Sequence, residues 1–199
     1  MKEWYKNRQK EHYYKEAKKN NLISRAYYKL EEIDQKQKIL RNGQYVLDLG
    51  CSPGGWIQYI IKKYPNSKIL GVDLLDLKIP KNKNTDFLKQ DLNNFEDISN
   101  YISNKNIIFD NIISDIAPNT SGIQSVDQNK SFQLCEICTL FIDKHLKENG
   151  NFLIKNFQGE DTPFLFNIIK KLFNKVQYIK PKSSEKVSKE IYILALSKK

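Results

Sequence analysis

One nine-residue stretch, Asp48-Leu49-Gly50-Cys51-Ser52-Pro53-Gly54-Gly55-Trp56, carries the first chemistry in the sequence. Glycines let a backbone approach a ligand closely and adopt positive φ. Free amides at the start of a following helix can receive a carboxylate or another polar group. The stretch is not the dinucleotide fingerprint, because Ser52 stands where a G-x-G-x-x-G starting at Gly50 needs glycine. It is not a phosphate loop either, because no Gly-Lys-Ser/Thr follows. Nicotinamide dinucleotides and nucleoside triphosphates are therefore disfavoured. Asp73 follows about twenty residues later, where an acid accepts both ribose hydroxyls of a bound adenosine. Asp91 lies one strand further and is placed to accept from an adenine amino group. A glycine turn, a ribose acid and an adenine acid without a pyrophosphate site suit S-adenosylmethionine. Tight strand-to-helix packing is the plainer use of the same glycines.

A second set of residues is ionisable. Asp115 lies in Ser114-Asp115-Ile116-Ala117-Pro118-Asn119, Lys155 ends the apolar run Phe152-Leu153-Ile154, and Lys29 and Glu190 come from distant parts of the chain. Amino-group methyltransferases carry Asn/Asp-Pro-Pro-aromatic with a ring to clamp a flipped base. Ala117-Pro118-Asn119 has no such ring. Carbon methylation of cytosine needs a cysteine nucleophile. Cys51 falls in the glycine turn, and Cys135 and Cys138 fall inside a predicted helix. Cys135, Cys138 and His145 lack a fourth ligand, so no metal is expected. An edge lysine that snorkels to solvent is the alternative for Lys155.

These residues need a frame. Ser24 is placed to cap a helix running to about Gln37, with Tyr27, Leu30 and Ile33 on one face. Strands are predicted at Tyr45–Leu49, Lys68–Asp73, around Asp86–Leu88, at Phe109–Ser114, Phe152–Lys155, Val176–Ile179 and Ile191–Leu196. Helices are predicted over Trp56–Lys63, Ser125–Leu146 (stopped by Asn149-Gly150) and Thr162–Phe173. Alternation of strands and helices implies right-handed crossovers and a mostly parallel sheet with helices on both faces. Residues 180–189 are too few for a helical crossover, so one edge strand should run antiparallel. In such sheets ligands bind at the carboxyl ends of the strands. Asp48, Gly50, Asp73, Asp91, Asp115 and Lys155 all fall at or just past such ends. The expected fold is thus α/β: a seven-stranded, Rossmann-like sheet of the S-adenosylmethionine-dependent methyltransferase kind.

Composition bounds the partners. The 199 residues carry 33 Lys and Arg against 23 Asp and Glu, a net charge of +10. That charge favours an anionic partner, nucleic acid first. The arginines are Arg8, Arg25 and Arg41; the other basic residues are lysines, which suit phosphate attraction better than bidentate reading of bases. Three cysteines make no disulfide framework, which points to a reducing, intracellular compartment. No apolar run approaches the roughly 20 residues of a membrane helix, and residues 1–20 carry no apolar signal core. Those twenty residues form a basic, aromatic arm, either part-disordered or a helix leaning on the body. Its rings and lysines suit stacking on unpaired bases and contact with phosphates, although a solvated tail has the same composition. Residues 21–199 are read as one domain, and the protein as a monomer.

Several segments, in this order, resemble the FtsJ/RrmJ-type ribosomal RNA 2′-O-ribose methyltransferases. They are Ser24–Leu30, Asp48–Trp56, Ser114–Asn119 with Ser121-Gly122, Lys155–Glu160, and Lys180–Ser184 through Ser188–Tyr192. The resemblance covers the chain from about Leu22 onward. It implies that the family's Lys-Asp-Lys-Glu tetrad is Lys29, Asp115, Lys155 and Glu190. It implies cofactor contacts at Gly54, Trp56, Asp73, Asp91 and Asp115, to which Asp48, Gly50, Pro53 and Gly55 of the turn are added. Cys51-Ser52 replaces smaller residues and is expected to touch only the cofactor's edge. Within that resemblance Lys155 is the base, Lys29 the neighbouring positive charge, and Asp115 and Glu190 the groups that orient the amine. The implied cofactor is S-adenosylmethionine without metal. The implied partner is ribosomal RNA or the large ribosomal subunit, with a uridine of the A-loop as target and no membrane. Methylation of the tRNA anticodon loop and a catalytically silent RNA-binding role are the rival readings. The implied compartment is cytoplasmic, or mitochondrial or nuclear in a eukaryote.

Overall fold

The computed structural model describes residues 15–80, 82–184 and 188–199. Most of the predicted arm, residues 1–14, lies outside them. Residues 15–19 are helical, and Ala17 within them is buried. Five helices follow in the described chain: α1 (Ala26–Gln37), α2 (Gly55–Lys63), α3 (Phe95–Asn104), α4 (Gln124–His145) and α5 (Thr162–Leu172). Seven strands alternate with them: β1 (Tyr45–Leu49), β2 (Lys68–Asp73), β3 (Thr85–Lys89), β4 (Phe109–Ser114), β5 (Leu146–Phe157), β6 (Phe173–Ile179) and β7 (Glu190–Lys198).

The strands form one sheet in the order β3-β2-β1-β4-β5-β7-β6. Pairs among β1 to β5 are parallel, and β7 runs antiparallel to both β5 and β6. The expected antiparallel strand is therefore present one place in from the edge, which β6 occupies. Apolar side chains alternate between the faces, as a pleated strand requires. Leu47, Leu49, Ile112, Phe152 and Ile154 face α3, α4 and α5, while Val46, Ile69, Ile113, Leu153 and Leu194 face α1 and α2. The order reverses between β1 and β4, so the crevice for a ligand lies at their carboxyl ends.

Three local expectations are corrected. Ser24 does not cap α1: the helix starts after Arg25, and the Ser24 hydroxyl is buried without a partner. Its oxygen lies where a Cβ on Gly55 would come within 2.2 Å, so packing against α2 has taken it from the helix end. Asn149-Gly150 does not stop α4, which ends at His145. The dipeptide lies inside β5, with Asn149 at φ 60°, beside the register shift where β5 leaves Phe109 and picks up Asn111. The third is α3, a helix the sequence reading leaves out although Phe95, Ile98 and Ile102 recur at i, i+3 and i+7; it buries Ile98, Ser99 and Ile102.

Candidate active site

The glycine turn connects β1 to α2 under the rim. Gly50 has φ +74°, and a Cβ there would lie 2.6 Å from the Cβ of Ile116. Any larger residue would push the turn away from the segment that carries Asp115. Gly54, at φ +113°, would bring a Cβ within 2.7 Å of Ile79. Asp48, Gly50, Pro53, Gly55, Trp56 and Asp115 line one small recess. Asp48 is fully buried there, and one of its carboxylate oxygens meets no donor. Burial, then the nearby Asp115 and Asp73 carboxylates, push its carboxyl well above the usual carboxylate range. Asp73 ends β2 beside the turn, accepting from the Ser52 amide at 2.8 Å and the Leu75 amide at 2.8 Å. Each carboxylate oxygen keeps a further lone pair for a ribose hydroxyl. Asp91, past β3, accepts from the Asn93 amide and side chain.

These residues fit S-adenosylmethionine. The positive-φ glycines clear the backbone for a close ligand, Asp73 supplies ribose acceptors, and the unpartnered Asp48 oxygen supplies an acceptor for a cationic amine. Trp56, expected as a cofactor contact, lines the recess. The residue is 2 % exposed, and its indole donates to the Ala26 carbonyl at 2.9 Å and lies 6.1 Å from the Tyr192 ring, so it is a pillar of the recess wall. Cys51 and Ser52 also line the recess; the Cys51 thiol packs toward Gly71, and burial pushes it far up.

Lys29, Asp115, Lys155 and Glu190 meet beside this recess. Lys29 Nζ lies 2.7 Å from Glu190 Oε2 and 3.7 Å from Asp115 Oδ1, and Lys155 Nζ lies 3.0 Å from the same Asp115 oxygen. Lys155 also donates to the Asp115 carbonyl. Four elements hold these side chains. Lys29 projects from the buried side of α1, which Asp34 clamps to α2 by accepting from Tyr59 at 2.6 Å and Tyr64 at 2.7 Å. Asp115 follows β4, tied to β1 by Ser114 donating to the Leu49 carbonyl. Lys155 and Glu190 become neighbours because β7 pairs with β5, Lys155 opposite Tyr192 and Phe157 opposite Glu190. Burial would raise the Asp115 carboxyl, but Lys155, Lys29 and the Tyr192 hydroxyl together hold it below the usual range.

The family model for FtsJ-like methyltransferases matches residues 22–198. The chain belongs to the FtsJ-like methyltransferase family. A relative from Bdellovibrio bacteriovorus named ribosomal RNA large subunit methyltransferase E is 43 % identical over 195 residues, covering 96 % of this chain and 97 % of that one. A relative of the same name from Nitrosopumilus maritimus is 40 % identical, covering 94 % of each chain. The crystal structure of a ribosomal RNA methyltransferase from Plasmodium falciparum superposes with a TM-score of 0.77 at 29 % identity, covering 88 % of this chain and 97 % of that one. Human methyltransferase-like protein 13, solved with S-adenosylhomocysteine, shares the fold at a TM-score of 0.61 and 12 % identity.

This FtsJ-like chain has further site residues that motif reading did not single out. Tyr192 donates to Asp115 Oδ1 at 2.6 Å, and Lys29 Nζ lies 5.9 Å from its ring. Ser184 donates to Glu190 Oε1 at 2.7 Å. Ser183, beside it, donates from its amide and hydroxyl to Glu32 of α1. Asp127 accepts from the Ser121 amide at 2.7 Å, the Ser121 hydroxyl at 2.8 Å and the Gly122 amide at 3.2 Å, which fastens the loop leading from Asp115 into α4. The alternation Glu190-x-Tyr192 was the available signal for Tyr192, since both must face one side of β7. Cys135 and Cys138 are buried against the sheet, donating to the Lys155 carbonyl and the Ser114 hydroxyl, and His145 bonds Ser99 at 2.8 Å.

Proposed function

We propose that this protein uses S-adenosylmethionine to methylate the 2′-hydroxyl of a ribose in large-subunit ribosomal RNA, with a uridine of the A-loop as the target. The observation that carries the reading is the contact of two lysines and two carboxylates, from α1, β4, β5 and β7, beside the adenosyl-type recess. The aromatic clamp of amino-group methyltransferases is absent at Ala117-Pro118-Asn119, which favours the sugar over the base. The relatives' names supply the RNA class, and the +10 charge agrees with it.

A ribose hydroxyl is a weak acid and a poor nucleophile, so the site must take its proton as it attacks. Lys155 is the group placed to do so. To act as the base Lys155 must first give up its own proton, and the resulting neutral amine has two N–H bonds and one lone pair. The Asp115 carbonyl and carboxylate occupy two directions around Nζ, which leaves the third for the substrate proton. Asp115 is itself held by Tyr192, and Lys29 is held by Glu190, so the amine is fixed from behind rather than by substrate. Such positioning supplies a large share of the rate in a reaction whose leaving group is already activated. S-adenosylmethionine, when bound, supplies that activated methyl group on its sulfonium.

Nuclease digestion and mass spectrometry of RNA treated with the protein and labelled cofactor test the reading. The label is expected on a 2′-oxygen at one position in large-subunit RNA. A label on a base, or on tRNA alone, overturns it.

A further inference from the structure

Across β5 from the tetrad lies a second cavity of about 190 Å³. One wall is the first turns of α4, where Ser125, Gln128, Asn129 and Phe132 recur at i, i+3, i+4 and i+7 and so share one helix face. The other wall is Phe157 and the turn from Gly159 into α5. Phe157 is two residues beyond Lys155 on the same strand, roughly 7 Å along it. It also pairs with Glu190, so the cavity and the tetrad share the end of the β5–β7 pair.

The cavity is held open by buried polar contacts. Ser131 accepts from the Phe157 amide at 3.0 Å. Thr162 accepts from the Asn156 side chain at 2.9 Å and from the Gly159 amide at 2.9 Å. Gln128 donates to the Gln158 carbonyl, and a Cβ on Gly159 would lie 3.0 Å from the Gln128 side-chain carbon. None of these bonds is needed to hold Lys155 against Asp115. They shape the wall beyond it.

The lining chemistry is selective. In a chain of net charge +10, neither lysine nor arginine lines this cavity, and Glu160 and Asp161 stand at its lip. Phosphate is thereby disfavoured. Amide side chains both donate and accept, carboxylates accept N–H groups, and the half-buried Phe132 and Phe157 offer ring surface. That is the equipment for a nucleobase: stacking on an aromatic ring with hydrogen bonds to its edge, the usual way single-stranded RNA is read.

We propose that this cavity binds the base of a nucleotide adjoining the one that is methylated, and so helps select the position. The inference rests on the RNA reading above. The test uses a synthetic large-subunit RNA fragment containing the methylated nucleotide, with single abasic substitutions at each neighbouring position. Dissociation constants, KM and single-turnover rates are measured for the wild type, Gln128→Ala and Phe132→Leu, which keeps an apolar side chain but removes the ring. For the wild type, an abasic site at one neighbouring position is expected to weaken binding roughly 5- to 100-fold, the range of one lost base stack. For the variants, intact RNA is expected to bind as weakly as that abasic RNA, with the loss in KM and no change in S-adenosylmethionine affinity. A wild type that methylates every abasic fragment equally well overturns the cavity assignment alone. Variants that lose intact and abasic RNA by the same factor do so too. Absence of sugar methylation on the intact fragment overturns the RNA reading and this inference with it.

Discussion

Around the tetrad each charge meets a counterpart: Lys29 meets Glu190, Lys155 meets Asp115, Tyr192 donates to Asp115 and Ser184 to Glu190. In the glycine-turn recess, which Asp115 also lines, Asp48 is buried with an oxygen that no donor reaches and with Asp115 and Asp73 nearby. The first group is assembled by the protein alone, and its geometry does not wait for a ligand. The second keeps an acceptor and a negative field available to a cationic one. A rate-determining array benefits from being fixed in advance. A binding recess does better to keep some desolvated polarity for its ligand, at a cost to the stability of the free protein.

The largest break in this contrast should come at Lys155. Lys155→Ala is expected to lower single-turnover methyl transfer at saturating RNA by about 10²–10⁴, the range for loss of a general base. Cofactor affinity should stay within a few-fold. Lys155→Arg should fail as well, because a guanidinium cannot give up its proton at working pH. Substantial turnover by the arginine variant would reduce Lys155 to an electrostatic clamp. Next in size, Asp73→Ala should weaken S-adenosylmethionine binding by roughly 10- to 100-fold, as expected for hydrogen bonds to a charged acceptor. Calorimetry measures it, and unaltered affinity would remove Asp73 from the recess's function.

A smaller effect sharpens the pre-assembled side. Ser184→Ala removes one hydrogen bond behind Glu190 and should slow turnover by about 5-fold, the equivalent of about 1 kcal/mol. The loss should fall on kcat, and Ser184→Thr should restore most of it. A loss confined to thermal stability would make Ser184 merely structural.

The smallest effect separates the two acids by sign. Asp48 is held above its unfolded value, so above about pH 3.9 the native state binds more protons than the unfolded chain. Its contribution to stability therefore falls as pH rises toward its folded value. Asp115 is held below its unfolded value, so its contribution is present above about pH 3.9 and is lost as pH falls through its folded value. Thermal midpoints of the free protein between pH 4 and 8 should show a shallower decline with rising pH for Asp48→Asn than for the wild type. Identical profiles would mean that Asp48 carries its charge in the folded protein.

What could be read beforehand follows from the range of the interactions. The glycine turn, Asp73 and the strand ends are local features, and apolar runs bounded by glycine and polar residues placed β1, β2 and β4 to the residue. Helix α3 was legible but missed: Phe95, Ile98 and Ile102 recur at i, i+3 and i+7, and the Asn, Ser and acidic residues between them masked a face that also brings Phe95 and Tyr101 onto the core. The Ser24 cap failed because its partner in space, Gly55, is thirty-one positions away. Ser184's contact with Glu190 depends on which strand lies beside β5, and no local pattern specifies that β7 is inserted before β6; the wall formed by Gln128 and Phe132 depends on how α4 packs against the end of β5. The tetrad itself was named through the family's motifs. Residue types alone left Lys155 open to a snorkelling role, which its side chain, 6 % exposed, does not play.

On the proposed mechanism, the insertion of β7 also makes the catalytic set depend on the end of the chain. Lys29 and Glu190 are separated by 161 positions, and Tyr192 must lie opposite Lys155 before Asp115 is held. Helices and hairpin-like pairings form from nearby residues, whereas contacts spanning most of a chain close late. Residues 15–157 carry the glycine turn, Asp73 and Lys155, whereas the Tyr192 and Glu190 contacts that hold Asp115 and Lys29 come only with the last strand. On that mechanism the last strand to be made is the one that completes the array, so a chain truncated before Glu190 should be unable to transfer a methyl group.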